Sequence, residues 1–194
     1  MISDKMRAEM IFYAETNDYS DANRYENFAL GCNLGEKAIE IGGVVKYLAG
    51  QMPDTRRPLE ILETASATGL TAAGVTSELT RAGVVHSYIS LDIEQNLLRF
   101  AQLRRRGEGF VQGDFESLPF ADVMFDFYIM MGAEGYRPSG RFYPEVYRVL
   151  KPGGYYVMPQ IGPRPVVQRP EIDAALRSGL DIVRADSYLI VRKS

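Results

Sequence analysis

Cysteine and histidine are nearly missing from this chain of 194 residues, which has one of each, Cys32 and His86. A single cysteine excludes an intrachain disulfide and fits a reducing compartment, so a cytoplasmic location is expected. One cysteine and one histidine also leave no Cys/His cluster for a transition metal. No metal is expected, although carboxylate ligation stays open. Basic charge is not in excess. A net charge of −3 creates no positive field to gather nucleic acid or an anionic membrane, so neither is an expected partner. No apolar run approaches bilayer-spanning length. The opening MISDKMRAEM lacks the basic start and apolar core of a signal peptide. Internal repeats and low-complexity tracts are lacking too. What is present is an ordinary globular balance, 46% hydrophobic and 24% charged, in a length that suits one core.

The chain divides in character near Pro58. Before it, Ser3 can cap a first helix running to about Glu15, and the stretch YSDANRYENFALGCN interleaves aromatics and polar residues without a clear period. Leu34, Ala38, Ile41, Val45 and Leu48 then recur at spacings of four and three, one apolar helix face, which Gly50 and Pro53 end. Residues 1–57 are therefore read as an N-terminal helical cap or lid, with about residues 1–30 its mobile part. Residues 58–194 form the main domain.

After Pro58 the pattern is strand, turn, helix, repeated. Strands are expected at 59–62, 84–92, 109–114, 124–132 and 155–161, with helices over 70–81, around Leu97, Leu98 and Ala101, over 142–150 and over 170–178. Strands alternating with helices pair in parallel through right-handed crossovers. The last two, DIVRADS and YLIVRKS, are joined near Asp186 and Ser187 too tightly for a crossover, so they must run antiparallel. An α/β sheet of this kind binds ligands beyond the carboxyl ends of its strands.

The residues at those ends carry the chemistry. The first strand runs into LETASATGL, with Glu63, Ala65, Ala67 and Gly69 at alternate positions. The second ends in Asp92, followed by Ile93. A carboxylate there can accept hydrogen bonds from ribose hydroxyls or merely cap the next helix. The third segment, FVQGDFESLPFADVMFDFYIMM, contains Asp114, Phe115, Asp126 and Met131, and VYRVLKPGGYYVM follows. Together these motifs resemble the class I S-adenosylmethionine-dependent methyltransferases, in particular their small-molecule, UbiE-like branch (methyltransferase type 11), over roughly Pro58 to Ser194. The first glycine motif is degenerate, because Ala65 and Ala67 stand where the family has glycine.

That resemblance implies a Rossmann-like fold, a seven-stranded mostly parallel sheet of order 3-2-1-4-5-7-6 with helices on both faces and an antiparallel last strand. It implies S-adenosylmethionine as cofactor, with S-adenosylhomocysteine as product. Glu63, Ala65, Ala67, Gly69 and Met131 would contact the cofactor, with the backbone at 65, 67 and 69 close to its methionine moiety. Asp92 would hold the ribose, Asp114 the adenine amine, the Phe115 amide a ring nitrogen, and Ile93 and Phe115 the ring face. Asp126 and the Lys-Pro-Gly-Gly turn are read as structural. Both alanines are expected at ordinary negative φ, their methyls turned from the ligand.

The expected reaction is methyl transfer to a small-molecule nucleophile. Tyr13 and Tyr19, with Tyr25 and Phe28, can form an aromatic cover for it. Glu134 and Tyr136 are the candidate catalytic groups, and Arg137 or Arg141 can take an acidic group on the substrate. His86 lies away from the strand ends and is read as structural. The competing reading is a methyltransferase-fold protein without methyl transfer, serving as a binding or scaffold subunit or running other chemistry in the same pocket. A nicotinamide dehydrogenase is disfavoured by the missing G-x-G-x-x-G. A monomer or a homodimer is expected.

Overall fold

Short apolar runs between turns become the strands of one twisted sheet, because alternate side chains along each strand can enter a core on either face. The structure is a computed structural model that describes residues 8, 9, 12, 13, 16, 18–53, 57–131, 140–160, 167 and 169–194. Its strands are β1 (Leu59–Thr64), β2 (His86–Asp92), β3 (Gly109–Gln112), β4 (Phe125–Met130), β5 (Leu150–Pro159), β6 (Leu180–Ala185) and β7 (Tyr188–Lys193). They form, among the described residues, a seven-stranded sheet of order β3-β2-β1-β4-β5-β7-β6. β7 alone is antiparallel to its neighbours β5 and β6. Order and direction agree with the sequence expectation. β4 is buried at every position, as a central parallel strand covered on both faces must be.

Beyond the helical residues before Asp18, the helices among the described residues are α1 (Ala22–Gly31), α2 (Leu34–Ala49), α3 (Leu70–Arg81), α4 (Gln95–Leu103), α5 (Phe142–Val149) and α6 (Arg169–Arg177). On one face of the sheet, Ile61, Phe127, Ile129 and Val157 pack with Ile41, Val45 and Leu48 of α2 and with Val75 and Leu79 of α3. On the other, Leu62, Leu91, Tyr128, Met130, Tyr156 and Met158 pack with Phe142, Val146 and Val149 of α5. Two glycines let α2 and α3 touch. A Cβ on Gly74 would lie 2.5 Å from the Ala38 carbonyl carbon, and one on Gly42 would lie 2.9 Å from the Gly74 carbonyl oxygen.

Two local expectations are revised. The stretch read as aperiodic contains α1, capped by Asp21, whose carboxylate accepts from the N–H groups of Asn23 and Arg24. Its buried residues are Glu26 and Ala29, so no apolar stripe announced it. β5 begins at Leu150, and Lys151–Gly154 lie inside it as an irregularity in its pairing with β4 rather than as a separate turn. Gly153 has φ +80, and a Cβ on Gly154 would lie 2.9 Å from the Lys151 carbonyl oxygen, so glycine is needed at both. The first helix expected over Ser3 to Glu15 falls mostly outside the described residues, of which 8, 9, 12, 13 and 16 are helical.

Two ionic clusters fix segments around the sheet. Asp126, fully buried at the amino end of β4, accepts from Arg57 Nη1 (2.8 Å), Lys151 Nζ (3.0 Å) and the Glu60 amide (2.9 Å). Burial opposes its ionisation, but these donors prevail and hold its carboxyl below the usual range. That is the structural part read from the sequence. Arg148 of α5 donates to the carbonyls of Phe120 (2.7 Å) and Leu118 (3.2 Å) and so pins the segment that follows Asp114.

Candidate functional site

The loop from β1 into α3 is the centre of the site. Ala65 has φ +51, Ala67 φ +47 and Gly69 φ +76, three left-handed residues at alternate positions. The expectation of negative φ at both alanines is thereby corrected. The loop keeps the backbone path that glycine would take, because tertiary hydrogen bonds impose it. Ser66 N–H donates to the Leu91 carbonyl (3.1 Å), Ala67 N–H to Asp92 Oδ2 (2.7 Å) and Gly69 N–H to the Ser66 carbonyl (2.9 Å). Gly69 has no room for a side chain, since a Cβ would lie 2.9 Å from the Arg106 carbonyl oxygen.

Left-handed alanine is strained by about 1–2 kcal/mol per residue. Glycine relieves that strain but adds about 0.4–1 kcal/mol of unfolded-chain entropy. The double variant Ala65→Gly, Ala67→Gly is therefore expected to be as stable as the native chain or more so, by up to about 3 kcal/mol. Thermal unfolding measures this, and a lower melting temperature would show that packing of the two methyls outweighs the strain.

A shallow cleft opens over the loop. Ala65, Ser66, Ala67, Thr68 and Thr71 line one side, Met131 closes the end of β4, and Tyr25, Ala29 and Leu34 stand opposite. The Ser66 hydroxyl is buried and has no hydrogen-bond partner among the described residues. A buried ion pair ties α1 to this loop. Glu26 meets Arg106 Nη2 at 2.7 Å, and Arg106 Nη1 donates to the Thr68 carbonyl at 3.1 Å. Sequence reading missed both residues, since a buried Glu within α1 and the last of three successive arginines look like ordinary surface charge.

Asp92 ends β2 at 6% exposure. Its second oxygen, Oδ1, accepts from the Glu94 amide at 2.9 Å. Burial raises its pKa, and the amides of Glu94 and Ala67 act against that. The carboxylate thus braces the left-handed loop and the entry to α4 together. Ile93 is 65% exposed beside it. Asp114 is exposed, with Oδ1 accepting from the Glu116 amide at 2.8 Å. Phe115 is half-buried and packs edge-on against Phe142.

Glu63 lies beneath the loop and does not line the cleft. Tyr88 Oη donates to it at 3.1 Å, and Thr71 and the Ala72 amide, in the first turn of α3, also face it. Burial pushes its pKa up to about 8. The folded chain therefore keeps this proton after the unfolded chain has released it, so stability falls as pH rises from about 4.5 to about 8 and levels off above. Glu63→Gln is expected to flatten that decline, gaining most over the native chain at the alkaline end. Melting temperatures of both proteins across the window test it, and equal slopes would assign the decline to other groups.

The aromatic residues of the N-terminal segment do come together. Tyr13 stacks on Tyr19 (5.0 Å between centroids) and meets Tyr25 (5.7 Å) and Phe28 (5.0 Å). The Tyr13 hydroxyl is buried and unpartnered, and burial pushes its pKa up to about 12. His86 is distant from the cleft, at the amino end of β2, with Nδ1 3.0 Å from the Val84 carbonyl oxygen. Glu134, Tyr136 and Arg137 lie outside the described residues. Among the described residues, no group of three or more His, Cys, Asp or Glu could hold a metal ion, and no helix is long and apolar enough to cross a membrane.

Comparison with known proteins agrees with this geometry. Residues 66–158 match the family model described as a methyltransferase domain. A probable phthiotriol/phenolphthiotriol dimycocerosates methyltransferase of Mycobacterium ulcerans is 42% identical over 106 residues, 53% of this chain and 40% of that protein. A fatty-acid O-methyltransferase of Mycolicibacterium smegmatis is 35% identical over 125 residues, 61% of this chain and 45% of that protein. The chain thus spans less than half the length of these relatives. Among solved structures, a putative S-adenosylmethionine-dependent methyltransferase of Methanococcus maripaludis superposes with a TM-score of 0.66 at 15% identity, covering 91% of this chain and 94% of that one. The [4+2]-cyclase SpnF superposes at 0.53 with 19% identity, covering 74% and 58%. The fold is the Rossmann-like methyltransferase fold.

Proposed function

From a methyltransferase-domain match over residues 66–158 and a fold shared with S-adenosylmethionine-dependent methyltransferases, we propose that this chain binds S-adenosylmethionine and transfers its methyl group to a small molecule. The observation that carries this reading is the left-handed backbone at residues 65, 67 and 69. Both alanines hold the left-handed backbone that glycine adopts most readily. That favours a working cofactor loop over a degenerate one.

The residues present fit the cofactor. The unpartnered Ser66 hydroxyl and the cleft between α1 and the loop suit the charged methionine end. Asp92 would accept from the ribose hydroxyls, since a carboxylate offers about four lone-pair sites and the backbone donors here are those of Ala67, Glu94 and Ile93. Asp114 keeps Oδ2 for the adenine amine, beside the apolar surface of Ile93. Glu63 acts from beneath, by packing the loop against α3. When bound, the cofactor supplies an electrophilic methyl on a sulfonium sulfur. The chain must hold the nucleophile in line and keep water away. Tyr25, Ala29 and Leu34 close one side of the cleft for that purpose, with Tyr13 and Tyr19 packed behind them. Glu134 or Tyr136 orients or deprotonates the nucleophile, and Arg137 takes an acidic group.

The substrate class we propose is a molecule with a long apolar part and an oxygen nucleophile. The aromatic cluster supports this, as do relatives named for fatty acids and for phthiotriol dimycocerosates. The N-terminal cap over residues 1–57, a cytoplasmic location and a monomeric or homodimeric state belong to the same proposal. Calorimetric titration with S-adenosylhomocysteine tests it. Saturable binding in the micromolar range is expected. No binding at millimolar ligand would transfer the proposal to a fold that has lost methyl transfer.

A further inference from the structure

Gln160 follows the last residue of β5. Its backbone N–H donates to the Ser187 carbonyl at 2.9 Å, so it extends the antiparallel ladder with β7 by one residue beyond the Pro159–Tyr188 pair. Side-chain alternation then places Gln160 on the sheet face of Tyr156 and Met158, with Met130 of the neighbouring β4 on the same face. It is only 9% exposed, and its amide nitrogen Nε2 is buried with no hydrogen-bond partner among the described residues. Folded proteins leave few such groups unpaired. This one stands at the carboxyl edge of the sheet, where open α/β folds take their ligands, and it does not line the cleft that suits the cofactor.

We propose that Gln160 recognises the substrate, its side-chain amide donating a hydrogen bond to an oxygen of a molecule that carries an apolar chain. The chemistry selects by hydrogen-bond acceptor. A hydroxyl, carbonyl or carboxylate oxygen satisfies the buried N–H, whereas an ammonium head has no lone pair and leaves it unpaired. The proposal rests on the reading of this edge as a substrate pocket, but hydrogen-bond selection does not depend on methyl transfer itself.

The probes are dodecanoate and dodecylamine, which share one chain and differ in the head group. Calorimetry on the native chain should show the carboxylate binding more tightly. Gln160→Leu should weaken dodecanoate by about tenfold or more and leave dodecylamine and S-adenosylhomocysteine unchanged. Its melting temperature should hold or rise, because an unpaired buried donor has been removed. Gln160→Glu, which replaces a donor with an acceptor, should reverse the preference between the two probes. Equal loss of both probes together with a lower melting temperature would make Gln160 structural and overturn the proposal. So would unchanged dodecanoate affinity. If S-adenosylhomocysteine fails to bind while the probe pattern holds, the methyl-transfer reading fails and this one stands.

Discussion

Asp92→Ala is expected to weaken S-adenosylhomocysteine binding by about 10- to 100-fold, since hydrogen bonds to a charged acceptor are worth about 1.5–3 kcal/mol and each 1.4 kcal/mol is tenfold. Part of the loss is direct, through the ribose hydroxyls. The rest comes from the loop, because Asp92 Oδ2 accepts the Ala67 N–H at 2.7 Å and helps hold a left-handed alanine. Removing the carboxylate also unpairs the Glu94 amide, so stability should fall as well. Asp92→Asn separates the two effects. Its amide oxygen can still accept one backbone N–H, but it carries no charge for the ribose. The asparagine variant should therefore recover much of the melting temperature and little of the affinity. Calorimetry and thermal unfolding on the three proteins decide it. Native affinity in Asp92→Ala would remove this residue from the ligand site.

The second large effect is expected far from any ligand. Gly74→Ala should lower the melting temperature by about 5–10 °C, for a loss of about 2 kcal/mol or more in a chain of this size. The new methyl would stand 2.5 Å from the Ala38 carbonyl carbon and 2.6 Å from its oxygen. Both are backbone atoms of α2, so no side chain can rotate aside and the helices must separate. Alanine's better helix preference, about 1 kcal/mol, offsets only part of this. Gly43 is the control, because a Cβ there meets nothing within 4 Å. Gly43→Ala should instead stabilise by up to about 1 kcal/mol. If both variants melt above the native chain, the close approach of α2 and α3 is softer than its geometry indicates.

The sheet was legible because its signals are apolar and periodic. LEIL, SYISLD and FDFYIMM could be nothing but strands, and the tight link at Asp186 and Ser187 forced the antiparallel pair. The positions at the strand ends followed from topology, and Asp92 and Asp114 are where it put them. What stayed hidden was polar and buried. α1 buries Glu26 rather than a stripe of leucines, so its period is invisible without its partner Arg106, 80 positions further along the chain. Gln160 reads as a loop glutamine until its surroundings are known. The backbone of Ala65 and Ala67 could not be read from residue type, because alanine prefers the right-handed region and tertiary hydrogen bonds override that preference here.

The separation along the chain of the site's two halves bears on the order in which they can form. Asp92 meets Ala67 across 25 positions, and β1, β2 and β3 follow one another, whereas the bond between Thr64 and Tyr128 that joins β1 to β4 closes 64 positions. Longer loops are slower to close and cost more chain entropy. During refolding, the half that carries Asp92 and Asp114 is expected to assemble before β4 brings Met131 to the other end of the cleft. The two ends of the proposed cofactor site would be completed at different times, so a nucleoside fragment and the whole cofactor should report different kinetic phases of the same chain.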